Sequence, residues 1–423
     1  MAPIIREDFI QERNMVTVGV QSSRVRSVKR TRERQLGIRA YDGRAVSIAG
    51  GIGFPDEDKL WKKARQGLDD GIPYPLFPQT DHTEEEVTPG KVPGDRELLE
   101  EVEIILSHFR HRFPKLILSG SVSAMEYSVS IRNETGLDLG YTSPVFKCGF
   151  VFRHNDSMDS MDGYTGSYGV AYSREKVLND LELSCSPFFR DEYSGKPCRM
   201  PVVFAMGVEN GLLSELVKNL YCNGLRRGSS LFSGMMNREV LNREFTVAQC
   251  PDNHNTGLKF VDKEGTVNPH HSVDLIRNGV PLRAVTDRLT ALEYNCENSG
   301  SAFKGSYDTI PSVGVPYVKI SHTGKPLEGL LQGRETLLLL VPGGGRVSDN
   351  GRFSTTIQLG YMMKDGKITS KITRGSVSGS LLEMFGPDYM GCSTDSILAM
   401  THSPGVVCMM NVDPGAVTGS GVS

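Results

Sequence analysis

Residues 200–234 read MPVVFAMGVENGLLSELVKNLYCNGLRRGSSLFSG, and the texture of the chain changes on entering this stretch. MPVVFAM is a short apolar run closed by Gly207, the pattern of a buried strand. Behind it Leu212, Leu213, Leu216, Val217 and Leu220 recur at helical spacing, which predicts a helix over 210–221. After Arg226 the chain reads as strand-like to its end, with turns expected at Asn278-Gly279, Pro342 to Gly345, Asn350-Gly351 and Asp365-Gly366. Before residue 196 strands and helices are mixed. The expected fold is α+β: an α+β domain over 1–195, then a strand-rich domain over 196–423 with a short helix near its start.

In the first half, residues 15–53 read as strands with a turn at Asp42-Gly43. Pro55-Asp56 opens a helix carrying Leu60, Trp61, Ala64 and Leu68 on one face. Residues 71–94, proline-rich with an acidic run, read as a surface loop or linker. A helix follows from Asp95 to Arg112, with Leu98, Val102, Ile105, Leu106 and Phe109 aligned. Strands resume around a turn at Asn133 to Gly136, and another helix is expected over Ser173 to Leu183.

The chain has 423 residues, enough for two domains, and a net charge of -3. That balance gives no global basic field for nucleic acid. The basic stretch Arg24 to Arg34 reads as a strand with one solvated face. The N-terminal MAPIIREDFIQERNM is charged, unlike a signal peptide, and no run is long enough for a membrane helix. A cytoplasmic location is expected. The eight cysteines are scattered without a CxxC pair, so most should be buried thiols. Gly343 to Gly345 lacks a following Lys-Ser/Thr, which excludes a P-loop and leaves a turn.

Several motifs in one order carry a resemblance: GIRAYDGRAVSIAG and VSIRNETGLDLGYTS in the first half, then PVVFAMGVENGLLSELV, RRGSSLFSG, FVDKEGT, DLIRNGVPLRAVTDRL, NGRFSTTIQLGYMMKDGKI and VSGSLLEM. Together they make the chain similar to the TldD/PmbA family of metalloprotease-like proteins. Catalytic members resembling it carry His-Glu-x-x-x-His on a helix, and two imidazoles with a distant Cys hold zinc. Such a zinc keeps one position open for water and lowers its pKa to about 7. Aligned backwards from Arg226-Arg227-Gly228, the first His position is Leu213, the Glu position Ser214 and the second His position Lys218. The Cys position falls on Cys408. Leucine offers no lone pair, and an ammonium repels a cation. The family's acidic pair is replaced by Gln249-Cys250.

The resemblance therefore implies a zinc-free chain: no metal and no cofactor of its own, with zinc expected only in a TldD-like partner. It implies a homodimer, or a heterodimer with that zinc-bearing subunit, around a cavity that takes a peptide. Contacts were expected from backbone donors near Arg226 to Ser230, from the strand 353–361 and from residues around Cys408. The alternative is a stand-alone, metal-independent enzyme that re-uses the cavity for amide or tailoring chemistry, with Ser214, Glu215, Lys218 and Cys408 as candidates. Against each stands a plainer reading: a solvated Glu215, a surface Lys218 whose stem covers apolar atoms, a core Cys222. Cys250-x-Asp252-x-His254 and His270-His271 read as polar loop residues rather than metal ligands.

Overall fold

The computed structural model describes residues 3–204, 208–251, 260–398 and 403–415. It is a strand-rich α+β structure with a larger sheet in each half. The first half forms an eight-stranded sheet from β1 (Ile5–Gln21), β2 (Arg24–Tyr41), β3 (Ala45–Ile52), β4 (Ile72–Pro73), β5 (His82–Val87), β6 (Leu116–Asn133), β7 (Leu137–His154) and β8 (Gly163–Gly169). Its order is β4-β3-β2-β1-β6-β7-β5, with β8 also on β7. β1 begins well before residue 15 because its alternation of buried and half-exposed residues starts at Ile5. Ser22 and Ser23 both have positive φ and turn β1 into β2.

Helices α1 (Glu57–Gln66), α2 (Asp95–Arg112) and α3 (Arg174–Cys185) accompany this sheet. Asp56 caps α1 by accepting from the Lys59 N–H, and Ser173 caps α3 by accepting from that of Lys176. The predicted stripe of α2 is fully buried against Val16, Val18 and Leu118 of the sheet. The same core continues into Leu338, Leu340, Leu359 and Tyr361 of the second half, so the two halves share apolar packing. The Tyr361 hydroxyl donates to the Ser184 carbonyl at 2.5 Å across that boundary.

Two expectations fail here. Residues 71–94 are not simply a linker, because β5 pairs in parallel with β7 at the sheet edge. His82, Glu84 and Glu86 are half-buried while Thr83, Glu85 and Val87 face solvent, so the acidic run is an edge strand, where charge is tolerated. The described residues of 229–317 are not continuously strand-like either, and include a helical turn at Arg288–Glu293. They hold turns and the short strands β10 (Val247–Gln249), β11 (Val273–Arg277) and β12 (Val280–Pro281), which with β13 (Val318–Ile320) make a four-stranded sheet in the order β12-β11-β10-β13. The apolar segments there are too short and too interrupted by Gly, Pro and Asn to extend further.

The larger sheet of the second half uses β9 (Cys198–Phe204), β14 (Thr336–Val347), β15 (Arg352–Lys364), β16 (Lys367–Ile372), β17 (Ser376–Ser380), β18 (Tyr389–Leu398) and β19 (Ser403–Asp413). β14 pairs with β9 on one side and β15 on the other, so β14-β9-β19-β17-β15 closes into a ring, leaving β16 and β18 outside it. Gly343 to Gly345 does not form the turn expected of it. It lies within β14 where the register slips, and the reversal falls at Ser348 to Gly351. Asp365-Gly366 and Asn278-Gly279 do form hairpin turns with positive φ at both residues.

The GIRAYDGRAVSIAG motif acquires a physical role in this packing. Gly37 and Gly50 are register partners on β2 and β3. A Cβ on Gly37 would sit 1.8 Å from the Tyr307 carbonyl oxygen, and one on Gly50 would meet the Asp308 and Tyr307 side chains. The glycine pair is the seat of the 306–309 turn from the other half. Gly37→Ala should therefore destabilise by about 1–3 kcal/mol or more, because the obstructing atom is backbone and cannot rotate away. A urea midpoint unchanged from the parent chain would contradict this.

Candidate functional site

Helix α4 (Val208–Lys218) follows β9 and lies against β14. Leu213, Leu216, Val217 and the following Leu220 are buried in the second core with Phe204, Leu337 and Leu339. Gly211, Glu215 and Lys218, spaced i, i+4 and i+7, fall on the opposite face. That face borders a cleft of about 590 Å³ whose other wall is formed by Gly344, Gly345 and Arg346 of β14 with Phe353, Ser354 and Thr355 of β15.

The structure distributes the predicted residues unevenly. Glu215 and Lys218 come together: the ammonium donates to the carboxylate at 2.5 Å, and both line the cleft. Ser214 is half-buried beside them on the helix. Leu213 is 2 % exposed and packs in the core, about 140° around the helix from Lys218. Cys408 is fully buried on β19, opposite Val202 and Tyr389 in the strand registers, and burial raises its thiol well above the ordinary range. These positions do not converge on one point. Cys222 is also buried, with its sulfur 3.4 Å from that of Cys296.

Family zinc does not fit this donor set. Leu213 supplies no donor, Lys218 supplies a cation already paired with Glu215, and Cys408 faces the core. Among the described residues, the one group of three or more potential ligands able to hold a metal is Glu84, Glu86 and His271, and none belongs to α4. Gln249, in place of an acidic residue, is buried: its amide donates to the carbonyls of Ser299 and Gly300 and accepts from Ser301. It braces a loop. Asp252 and His254 lie outside the described residues.

The expected peptide contacts need correction. The strand 353–361 is held by β14 on one side and, over much of its length, by β17 and β16 on the other, so it offers no continuous edge. The amides of Gly228, Ser229 and Ser230 are taken by Leu225, Gly224 and the Ser233 hydroxyl, which leaves them no capacity to donate outward. Beyond Leu339, opposite Phe204, β14 has no further strand partner on its β9 side among the described residues. Gly343 to Arg346 there are exposed. Sequence reasoning missed this stretch of strand because the three glycines read as a turn.

Comparison with known proteins follows the same lines. A family model described as the PmbA/TldA metallopeptidase C-terminal domain matches residues 197–413. A metalloprotease TldD homolog of Buchnera aphidicola (subsp. Schizaphis graminum) is 28 % identical over 188 residues, covering 44 % of this chain and 38 % of the relative. A zinc metalloprotease TldD homolog of Saccharolobus solfataricus is 24 % identical over 229 residues, covering 52 % and 49 %. The match thus spans less than half the length of these curated relatives. The crystal structure of TldE from Thermococcus kodakarensis shares the fold with a TM-score of 0.81 at 15 % identity, covering 97 % of each chain.

Proposed function

The chain belongs to the PmbA/TldD metallopeptidase family, and from that premise we propose that it is a TldE/PmbA-like subunit with no catalytic zinc at α4 that holds an extended peptide for a zinc-bearing, TldD-like partner. The observation that carries this reading is the cleft between the Gly211–Glu215–Lys218 face of α4 and Gly344 to Arg346 of β14. A strand edge binds peptide through backbone hydrogen bonds, which tolerates varied sequence. The exposed glycines at 343–345 let another backbone approach closely. Ion-paired Glu215 and Lys218 wall the cleft and supply no hydrolytic group. In this assembly the partner would provide the metal and the activated water, and this chain the binding surface. No helix among the described residues is long and apolar enough to cross a membrane.

The alternative, an independent enzyme, would have to work with Ser214, Glu215, Lys218 and Cys408. Lys218 lies at the surface with a carboxylate on it, not in the apolar surroundings that make a lysine base. One experiment separates the readings. Co-expression with a TldD-like chain carrying His-Glu-x-x-x-His should give a stable complex that cuts unfolded polypeptide. Cleavage should vanish when the partner's first motif His is replaced by Ala, and this chain alone should be inert. Turnover by this chain alone, or failure to associate with any such partner, would overturn the proposal.

A further inference from the structure

The turn carrying His270-His271 and the acidic run of β5 read as unrelated polar segments in the sequence, yet the fold brings them together. On β5, His82, Glu84 and Glu86 alternate onto one half-buried face. His271 reaches that face from a short 3-10 turn, Pro269–His271, of the other half. Its Nε2 lies 2.6 Å from Glu84 Oε1, while His82 Nε2 lies 3.0 Å from Glu84 Oε2. Donor atoms of Glu84, Glu86 and His271 all fall within 4.8 Å of one another. The His271 ring is backed by Phe260, with centroids 4.9 Å apart, which fixes its orientation.

We propose that Glu84, Glu86 and His271 form a site for a divalent transition ion of the zinc type, clamping the edge strand β5 to the 269–272 turn, with His82 holding the second oxygen of Glu84 in place. Imidazoles and carboxylates together are the donors that zinc accepts at about 2.0–2.2 Å, which places neighbouring ligand atoms roughly 3.3 Å apart. The local charge calls for a cation. Among the described residues Glu86 sits beside Glu84 with no hydrogen-bond or ion-pair partner, and Glu84 is met by the imidazoles of His82 and His271 and by no Lys or Arg. Adjacent like charges on a partly buried face repel unless an ion bridges them. The site holds residues from both halves and none from α4, so the inferred ion is structural and independent of the peptide cleft.

The test uses the untagged full-length chain, stripped with EDTA and titrated with Zn²⁺ and, for its visible spectrum, Co²⁺. Saturation at one ion per chain is expected, with a Co²⁺ spectrum of low coordination number. Glu86→Gln removes a donor that holds no protein partner, so the fold is retained. It and His271→Ala should each weaken binding by about tenfold or more. No saturable binding, or both variants binding as tightly as the parent chain, would overturn the assignment and would point any observed ion to the cysteines instead.

Discussion

Replacing Arg39 with Met should cost about 3–5 kcal/mol, the largest loss expected from any single change in the first sheet. Arg39 is completely buried although it carries a guanidinium. Its Nη1 donates to Glu7 Oε1 at 2.9 Å and to the Lys263 carbonyl at 2.6 Å, so it ties β1, β2 and the 260–267 loop together. The Tyr41 hydroxyl donates to the same Glu7 oxygen at 3.1 Å, and the Phe9 ring lies 5.3 Å from the guanidinium carbon. Removing the cation leaves the Glu7 carboxylate buried with one neutral donor, and desolvation of an unpaired charge is the dominant cost. The double variant Glu7→Leu/Arg39→Met removes both charges. It should recover most of the loss but not all, because the Tyr41 hydroxyl then loses the Glu7 oxygen it donates to, at about 1–3 kcal/mol for such a buried group. Urea unfolding followed by fluorescence reads both values. A double variant no more stable than Arg39→Met would show that the charge is not the source of the penalty.

The face of β2 that holds Arg39 also holds Gly37 and Tyr41, and it marks how far the sequence could be read. Regular elements were legible where periodicity extends over many residues. The α2 stripe and the Asp365-Gly366 turn both follow from local side-chain pattern and φ preference. The α4 helix was legible too, including the burial of Leu213 and its neighbours. What could not be read was anything set by contact between distant segments. Nothing near Gly37 announces that Tyr307 will press on it, and nothing near His271 announces Glu84. The acidic edge strand β5 and the glycine-rich part of β14 were misread because edge strands take residues that usually signal loops. Of the candidate site, the shared helical face of Glu215 and Lys218 was legible from their spacing. The strand that faces them, Gly344 to Arg346 of β14, was not, because pairing is a property of the neighbours.

Stability should fall as pH rises from about 4.5 to about 8, and Glu264→Gln should abolish a large part of that fall. Glu264 belongs to the FVDKEGT segment and is 3 % exposed. Its Oε1 accepts from the Tyr74 hydroxyl at 2.8 Å and its Oε2 from the Arg288 backbone N–H at 2.9 Å. Burial, and then the nearby Asp262 charge, push its carboxyl up to about 8, and these outweigh the two hydrogen bonds that favour the anion. Asp262 is raised by burial too, but it accepts from the N–H groups of Glu264, Thr266 and Ala302, which oppose the rise. Glu264 is therefore the member of the pair that keeps the proton. The sign follows from proton counting. Between the ordinary value and about 8 the folded chain holds a proton that the unfolded chain has released, so raising pH favours unfolding by up to about 1.4 kcal/mol per pH unit. The contribution is fully present below pH 4.5 and is gone above about pH 8. Glutamine resembles the protonated acid: its carbonyl can accept from Arg288 while its amide donates to Tyr74, whose hydroxyl turns round. The variant should match the parent chain near pH 5 and exceed it by about 1–3 kcal/mol at pH 8.5, a discounted figure because the two carboxyls titrate together. The difference between the two urea-stability profiles isolates the Glu264–Asp262 pair, since titrating groups away from it contribute equally to both. Parallel profiles from pH 5 to 8.5 would mean that Glu264 folds as the anion, and that Arg288 and Tyr74 compensate the buried charge in full.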